Sequence, residues 1–135
     1  MSGDYESQRV LVIGLSRSGM AAARLLASEG AELVLNDRRT REEIDPEALR
    51  LPGGVGSTWP PGELVLGSHP KELASRVDRI VVSPGVPLDN EILVEARSRS
   101  VPVWSELELA YRQQAGTVVA ITGTKGKSTT ATLLY

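Results

Sequence analysis

A strand, a glycine-bearing turn, a helix and a second strand follow one another without a break at the start of this chain. Val10-Leu11-Val12-Ile13 is apolar and rich in β-branched residues, and Gly14 closes it. Met20 to Ala27 then carries apolar residues at helical spacing up to a stop near Gly30, and Glu32 to Leu35 resumes a strand. A helix that bridges two neighbouring strands leaves them parallel, with a right-handed crossover. The chain is thereby committed to a parallel sheet covered by helices.

The pattern returns further along. Leu64 to Leu66 and Arg79 to Ser83 read as strands, with a brief helix over Lys71 to Ser75 between them. Asn90 to Arg99 reads as a helix with Ile92, Leu93 and Ala96 on its apolar face. Val101 to Val103 is a short strand placed at a sheet edge, because Pro102 has no N–H to donate. Ser105 to Tyr111 opens another helix, and Thr117 to Ile121 another strand. A short helix is expected around Ile44, Ala48 and Leu49, and the breaker-rich run from Pro52 to Gly62 is assigned to surface turns.

Composition narrows the function. In a chain of 135 residues, 15 basic and 17 acidic side chains give a formal charge of -2, and no arginine-lysine block is dense enough to track a nucleic-acid backbone. The absence of cysteine removes disulfides and thiolate metal sites, and the single histidine, His69, cannot form a metal cluster. Neither a long apolar run nor a signal peptide is visible, so a cytoplasmic protein without membrane partners is expected.

Two glycine loops carry the chemistry. Gly14-Leu15-Ser16-Arg17-Ser18-Gly19 stands where a dinucleotide fingerprint would, with Ser16 in place of the middle glycine that lets backbone approach a pyrophosphate. Gly14 suits the tight turn and Gly19 close helix-to-sheet packing. Leu15 and Ser16 offer main-chain donors and an apolar contact to a base or ribose. Asp37, just past the second strand, suits a ribose hydroxyl, with Arg38 as a positive or stacking partner, and Ser83-Pro84-Gly85 ends a later strand on the same sheet edge. An ordinary strand-to-helix turn and ordinary strand termination remain the alternative readings of these residues. A nicotinamide-binding oxidoreductase domain and a non-catalytic nucleotide-binding module also remain open.

The second loop is Thr122-Gly123-Thr124-Lys125-Gly126-Lys127-Ser128-Thr129. It lacks the literal Walker spacing, since Ile121 occupies the position five before Gly126 and Gly123 stands three before it. The chemistry of phosphate binding is nonetheless present. Lys127 reaches β- and γ-phosphate oxygens, Ser128 supplies a hydroxyl to Mg²⁺, and Gly126 with the following N–H groups lines an anion.

Gly123 to Thr129 resembles the ATP loop of the Mur ligase family, the amide-bond-forming enzymes of peptidoglycan precursor synthesis, in which the compressed glycine spacing is usual. The Gly14–Gly19 loop, Ser83-Pro84-Gly85-Val86-Pro87 and Pro102-Val103-Trp104-Ser105-Glu106-Leu107-Glu108-Leu109 resemble the D-glutamate-adding branch of that family. The resemblance implies a Rossmann-like domain over residues 1–105 that binds the UDP end of UDP-N-acetylmuramoyl-L-alanine. Leu15 and Ser16 would lie near uracil or ribose, Asp37 and Arg38 at the uracil, and Gly85 near the diphosphate. Residues 106–135 would be the first strand and phosphate loop of a truncated ATP-binding domain. There Gly123, Thr124, Lys125, Gly126, Lys127, Ser128 and Thr129 bind ATP, Lys127 stabilises the transferring phosphoryl group, and Ser128 helps hold Mg²⁺. An acyl phosphate then receives D-glutamate. Lys125 departs from the Asn usual in the family. The remaining magnesium ligands and the D-glutamate site would lie beyond Tyr135, leaving this chain an inactive N-terminal fragment.

Overall fold

A computed structural model describes residues 5–49 and 62–134. Its centre is a five-stranded sheet formed by β1 (Arg9–Ile13), β2 (Glu32–Asp37), β3 (Gly62–Leu66), β4 (Arg79–Val82) and β5 (Val103–Ser105), in the order β3-β2-β1-β4-β5. Every pairing is parallel, with Leu11 opposite Val34 on one side and Ile80 on the other.

Alternation along β1 divides the core. Val10 and Val12 face the layer containing α1 (Arg17–Ser28) and α3 (Glu106–Gln113), where Met20, Ala23, Leu26 and Leu109 are buried. Leu11 and Ile13 face α2 (Glu91–Ser98) and a 3-10 helix at Lys71–Arg76, packing against Leu73, Ala74, Ile92 and Leu93. With both faces covered, β1 can be apolar throughout, as the central strand of a parallel sheet must be. Leucine, isoleucine, valine and alanine supply nearly all of this core.

The helix ends follow local chemistry. The Asn90 side chain accepts the Ile92 N–H at 2.9 Å, and the Ser105 hydroxyl accepts the Glu108 N–H at 3.1 Å, fixing the starts of α2 and α3.

The elements depart from the sequence pattern in four places. The edge strand is Val103–Ser105, not Val101–Val103, although it does lie at the edge. Pro102 stands just before it and contributes its carbonyl to the Ile80 N–H at 2.9 Å. Around Ile44 to Leu49 there are turns after a 3-10 helix at Arg41–Glu43, because Pro46 has no N–H for a helix and disfavours helical backbone at Asp45. Ile44 and Leu49 are buried all the same. The strand expected at Thr117–Ile121 does not form: no described strand lies beside it to take its hydrogen bonds, and Val118 and Val119 are exposed. Of the surface turns expected from Pro52 to Gly62, residues 52–61 lie outside the described residues, and Gly62 instead opens β3, paired with Leu33 of β2.

Candidate functional site

In a parallel sheet of this order the chain leaves β1 toward α1 on one face and β4 toward α2 on the other, and the carboxyl edge between them is where folds of this kind carry their ligand crevice. The Gly14–Gly19 loop forms one lip and Ser83-Pro84-Gly85 the other. Ser83 joins them, its hydroxyl donating to the Gly14 carbonyl at 2.9 Å and also contacting the Glu106 carboxylate at the start of α3.

The two glycines of the first loop are required by geometry. Gly14 has φ +90, and an added Cβ would lie 2.8 Å from Ser83 Cβ. A Cβ on Gly19 would lie 1.8 Å from the Gly14 carbonyl oxygen, so no side chain fits where α1 crosses the loop. The tight-turn and close-packing roles read from the sequence therefore hold. Gly85 differs, since a Cβ there would meet nothing within 4 Å. Its main chain is open to whatever occupies the crevice. Ser16 precedes α1 without capping it, and its side chain is exposed at the mouth of the loop.

Asp37, only 5% exposed, organises the end of β2. Its Oδ2 accepts the Leu15 N–H at 2.8 Å and Arg39 Nη2 at 2.7 Å. Its Oδ1 accepts the Arg39 N–H at 2.9 Å and Arg39 Nε at 3.0 Å. Burial alone would raise its pKa, but the side-chain and main-chain hydrogen bonds from Arg39 and the Leu15 N–H outweigh it and hold the carboxyl at about 2. The carboxylate thus fastens the first glycine loop to β2. Arg38, beside it in sequence, is exposed, and Arg39 is the arginine that grips Asp37.

Next to Asp37, the fully buried Asn36 donates from Nδ2 to the carbonyls of Val65 at 2.9 Å and Ser68 at 2.8 Å. Its Oδ1 receives His69 Nδ1. Burial lowers the His69 pKa, the Asp37 charge opposes this, and the Arg38 charge adds to it. Asn36, His69, Arg39 and Glu106 are members of the site that sequence reasoning left out. The available signal for Asn36 was a polar residue directly continuing an apolar strand.

The residues of the second loop stand apart from this cluster. Gly123 has φ +151 and Gly126 φ +82, and Gly126 directly precedes α4 (Lys127–Leu133). Thr124, Lys125, Lys127, Ser128 and Thr129 are exposed.

Parallel strands with helices on both faces, and a glycine loop at the point where strand order reverses, define a doubly wound α/β domain of Rossmann-like type. Within that class the chain belongs to the Mur ligases: residues 8–105 match the family described as Mur ligase MurD-like, N-terminal domain. It is similar to UDP-N-acetylmuramoylalanine--D-glutamate ligases, with 44% identity over 133 residues to that of Geobacillus kaustophilus, covering 97% of this chain and 28% of the relative. The corresponding ligase of Anaeromyxobacter dehalogenans is 44% identical over 131 residues, covering 96% of this chain and 27% of the relative. The chain thus spans little more than a quarter of these relatives' length. Among solved structures, a pseudomurein peptide ligase type C from Methanothermus fervidus shares the fold, with a TM-score of 0.57 and 24% identity over 95% of this chain and 25% of that one.

Proposed function

We propose that this chain is the N-terminal part of an ATP-dependent ligase that joins D-glutamate to UDP-N-acetylmuramoyl-L-alanine in the cytoplasm, during peptidoglycan precursor synthesis. The observation that carries the reading is the meeting of the Gly14–Gly19 loop and Ser83-Pro84-Gly85 at the carboxyl edge where strand order reverses, in a chain matching the MurD-like N-terminal family. No described helix is long and apolar enough to cross a membrane, which is compatible with a cytoplasmic site of action.

Residues 1–105 form the nucleotide-substrate domain in this reading. The main chain of Gly85 takes the diphosphate, Leu15 and Ser16 the ribose or uracil, and Asp37 with Arg38 the uracil end. Because the Asp37 oxygens are occupied by Leu15 and Arg39, Asp37 acts here chiefly by holding those groups in place. Residues 106–135 begin the ATP-binding domain, although α3 remains seated on the first sheet through Leu109.

The second loop suits ATP and Mg²⁺ chemically. Left-handed glycines at 123 and 126 let the main chain turn closely around an anion, and the first N–H groups of a helix have no partner within it. Gly123, Thr124, Lys125, Gly126 and Thr129 line the phosphates, Lys127 neutralises charge on the transferring group, and Ser128 offers its hydroxyl to the metal. The alanyl carboxylate of the muramoyl nucleotide takes the γ-phosphoryl group, with release of ADP. The D-glutamate amine then attacks the acyl carbon, forming the C–N bond, releasing phosphate and losing a proton. Ligation is expected to need more than these residues, since the matched region is 28% of a relative's length.

Calorimetric titration with UDP-N-acetylmuramoyl-L-alanine, with NADH and ATP as comparison ligands, tests the reading. Saturable binding of the muramoyl nucleotide that weakens in Asp37→Ala is expected. Preference for NADH would overturn it.

A further inference from the structure

The strand order sets a direction along the carboxyl edge. The nucleotide reading puts the diphosphate at Gly85 after β4, the sugar at the loop after β1 and the base at the end of β2. The next strand outward is β3, and the residue following its turn is His69. Neighbouring strands lie about 4.8 Å apart, and His69 rests on Asn36 of β2, so its ring flanks the place at the end of β2 where the base would lie.

His69 is not oriented at random. The two amide hydrogens of Asn36 are committed to the Val65 and Ser68 carbonyls, which fixes Asn36 Oδ1 as an acceptor. His69 Nδ1 therefore carries the proton it gives to Asn36, and Nε2, on the other side of the ring, carries the lone pair. Burial lowers the imidazole pKa, which keeps that lone pair available at neutral pH. Close by, the four donors already on Asp37 leave its carboxylate little capacity for a ligand N–H.

We propose that His69 reads the base of the bound nucleotide, its Nε2 accepting the imide N–H of uracil while Asn36 fixes the ring tautomer. This rests on the nucleotide reading above. Cytosine has a lone pair at the corresponding ring nitrogen, so two acceptors would face each other and the complex would weaken. The loss of one such bond with an acceptor left unpaired is on the order of tenfold in affinity. His69 is thereby a specificity-determining residue for uridine over cytidine nucleotides.

Because His69 is the single histidine of the chain, its ring nitrogens give one unambiguous set of signals in ¹⁵N–¹H correlation spectra. The free protein is expected to show the Nδ1–H tautomer, and the Nε2–H tautomer would overturn the proposal. Titration with UDP should shift the Nε2 signal together with the Leu15 and Asp37 amides, and CDP should bind about tenfold more weakly. His69→Ala should bring UDP and CDP close to equal affinity, with an unchanged fold by circular dichroism. His69→Gln, which retains a side-chain acceptor, should recover part of the preference. UDP binding that shifts Leu15 and Asp37 but leaves the His69 ring unmoved overturns this inference and leaves the nucleotide reading standing. Equal affinity of the unsubstituted chain for UDP and CDP does the same. No response to UDP at any of these positions overturns both.

Discussion

Asp37 Oδ2 accepts the Leu15 main-chain N–H at 2.8 Å, tying the end of β2 to the glycine loop that follows β1. The same carboxylate holds Arg39 through its main chain and its guanidinium, so one buried charge orders two segments at the carboxyl edge. Replacing one partner of such an arrangement leaves the others without theirs, which is costlier than never having built it.

The first prediction concerns pH. The Asp37 carboxyl stands at about 2 when folded, against an ordinary value of 3.8. The unfolded chain therefore takes up its proton first as pH falls. The resulting stabilisation, on the order of 2 kcal/mol, is complete above about pH 4 and is lost as pH falls through about 2. Urea denaturation of the unsubstituted chain and Asp37→Asn at pH 7, 4 and 2.5 should show a gap between them that narrows with acid. A gap of constant size would contradict this assignment.

Glycines at the two lips of the crevice should respond in opposite ways. Gly19→Ala forces a Cβ to within 1.8 Å of a carbonyl oxygen, and a loss of several kcal/mol or failure to fold is expected. Gly85→Ala meets nothing and should leave stability within about 0.5 kcal/mol. Its effect belongs to the ligand, as weaker binding of the muramoyl nucleotide in calorimetry.

Ser83 links three elements through one hydroxyl, so Ser83→Ala should cost about 1 kcal/mol by denaturant titration. Glu106 loses a partner in that variant. Amide exchange should consequently speed up at the start of α3 more than in α2, and equal change in both helices would argue against the link.

Lys127 is exposed on a segment that shares none of the core. Lys127→Ala is expected to leave the thermal midpoint unchanged within error. In a longer protein carrying the complete ATP-binding domain, the same substitution should lower the ligation rate by orders of magnitude, because the charge it supplies is felt most in the transition state. Thr117 to Leu134 of the present chain should exchange amide hydrogens fast throughout, apart from the few bonds within α4.

Much of the fold is legible because its signals are local. Val10 to Ile13, Gly14 and the apolar spacing of Met20 to Ala27 require nothing beyond side-chain period and turn chemistry. One error falls where a distant partner decides, and another where a local breaker was passed over. Thr117 to Ile121 has the composition of a strand but no neighbour to pair with, and Ile44 to Leu49 has helical spacing interrupted by Pro46. Arg38 and Arg39 are equivalent as letters. The turn after β2 gives Asp37 to Arg39, through a geometry set by β2 lying between β1 and β3.

The sequence by itself determined the parallel α/β class, the positions of both glycine loops and the resemblance to the Mur ligases, since each depends on residues adjacent in the chain. Tertiary structure alone decided that Asp37 secures Leu15, that Ser83 connects Gly14 to Glu106, and that Asn36 fixes the ring of His69. Those contacts join residues 22 to 69 positions apart. Their hydrogen bonds exist because the order of five strands brings separate loops to one edge, a fact that no local pattern of side chains encodes.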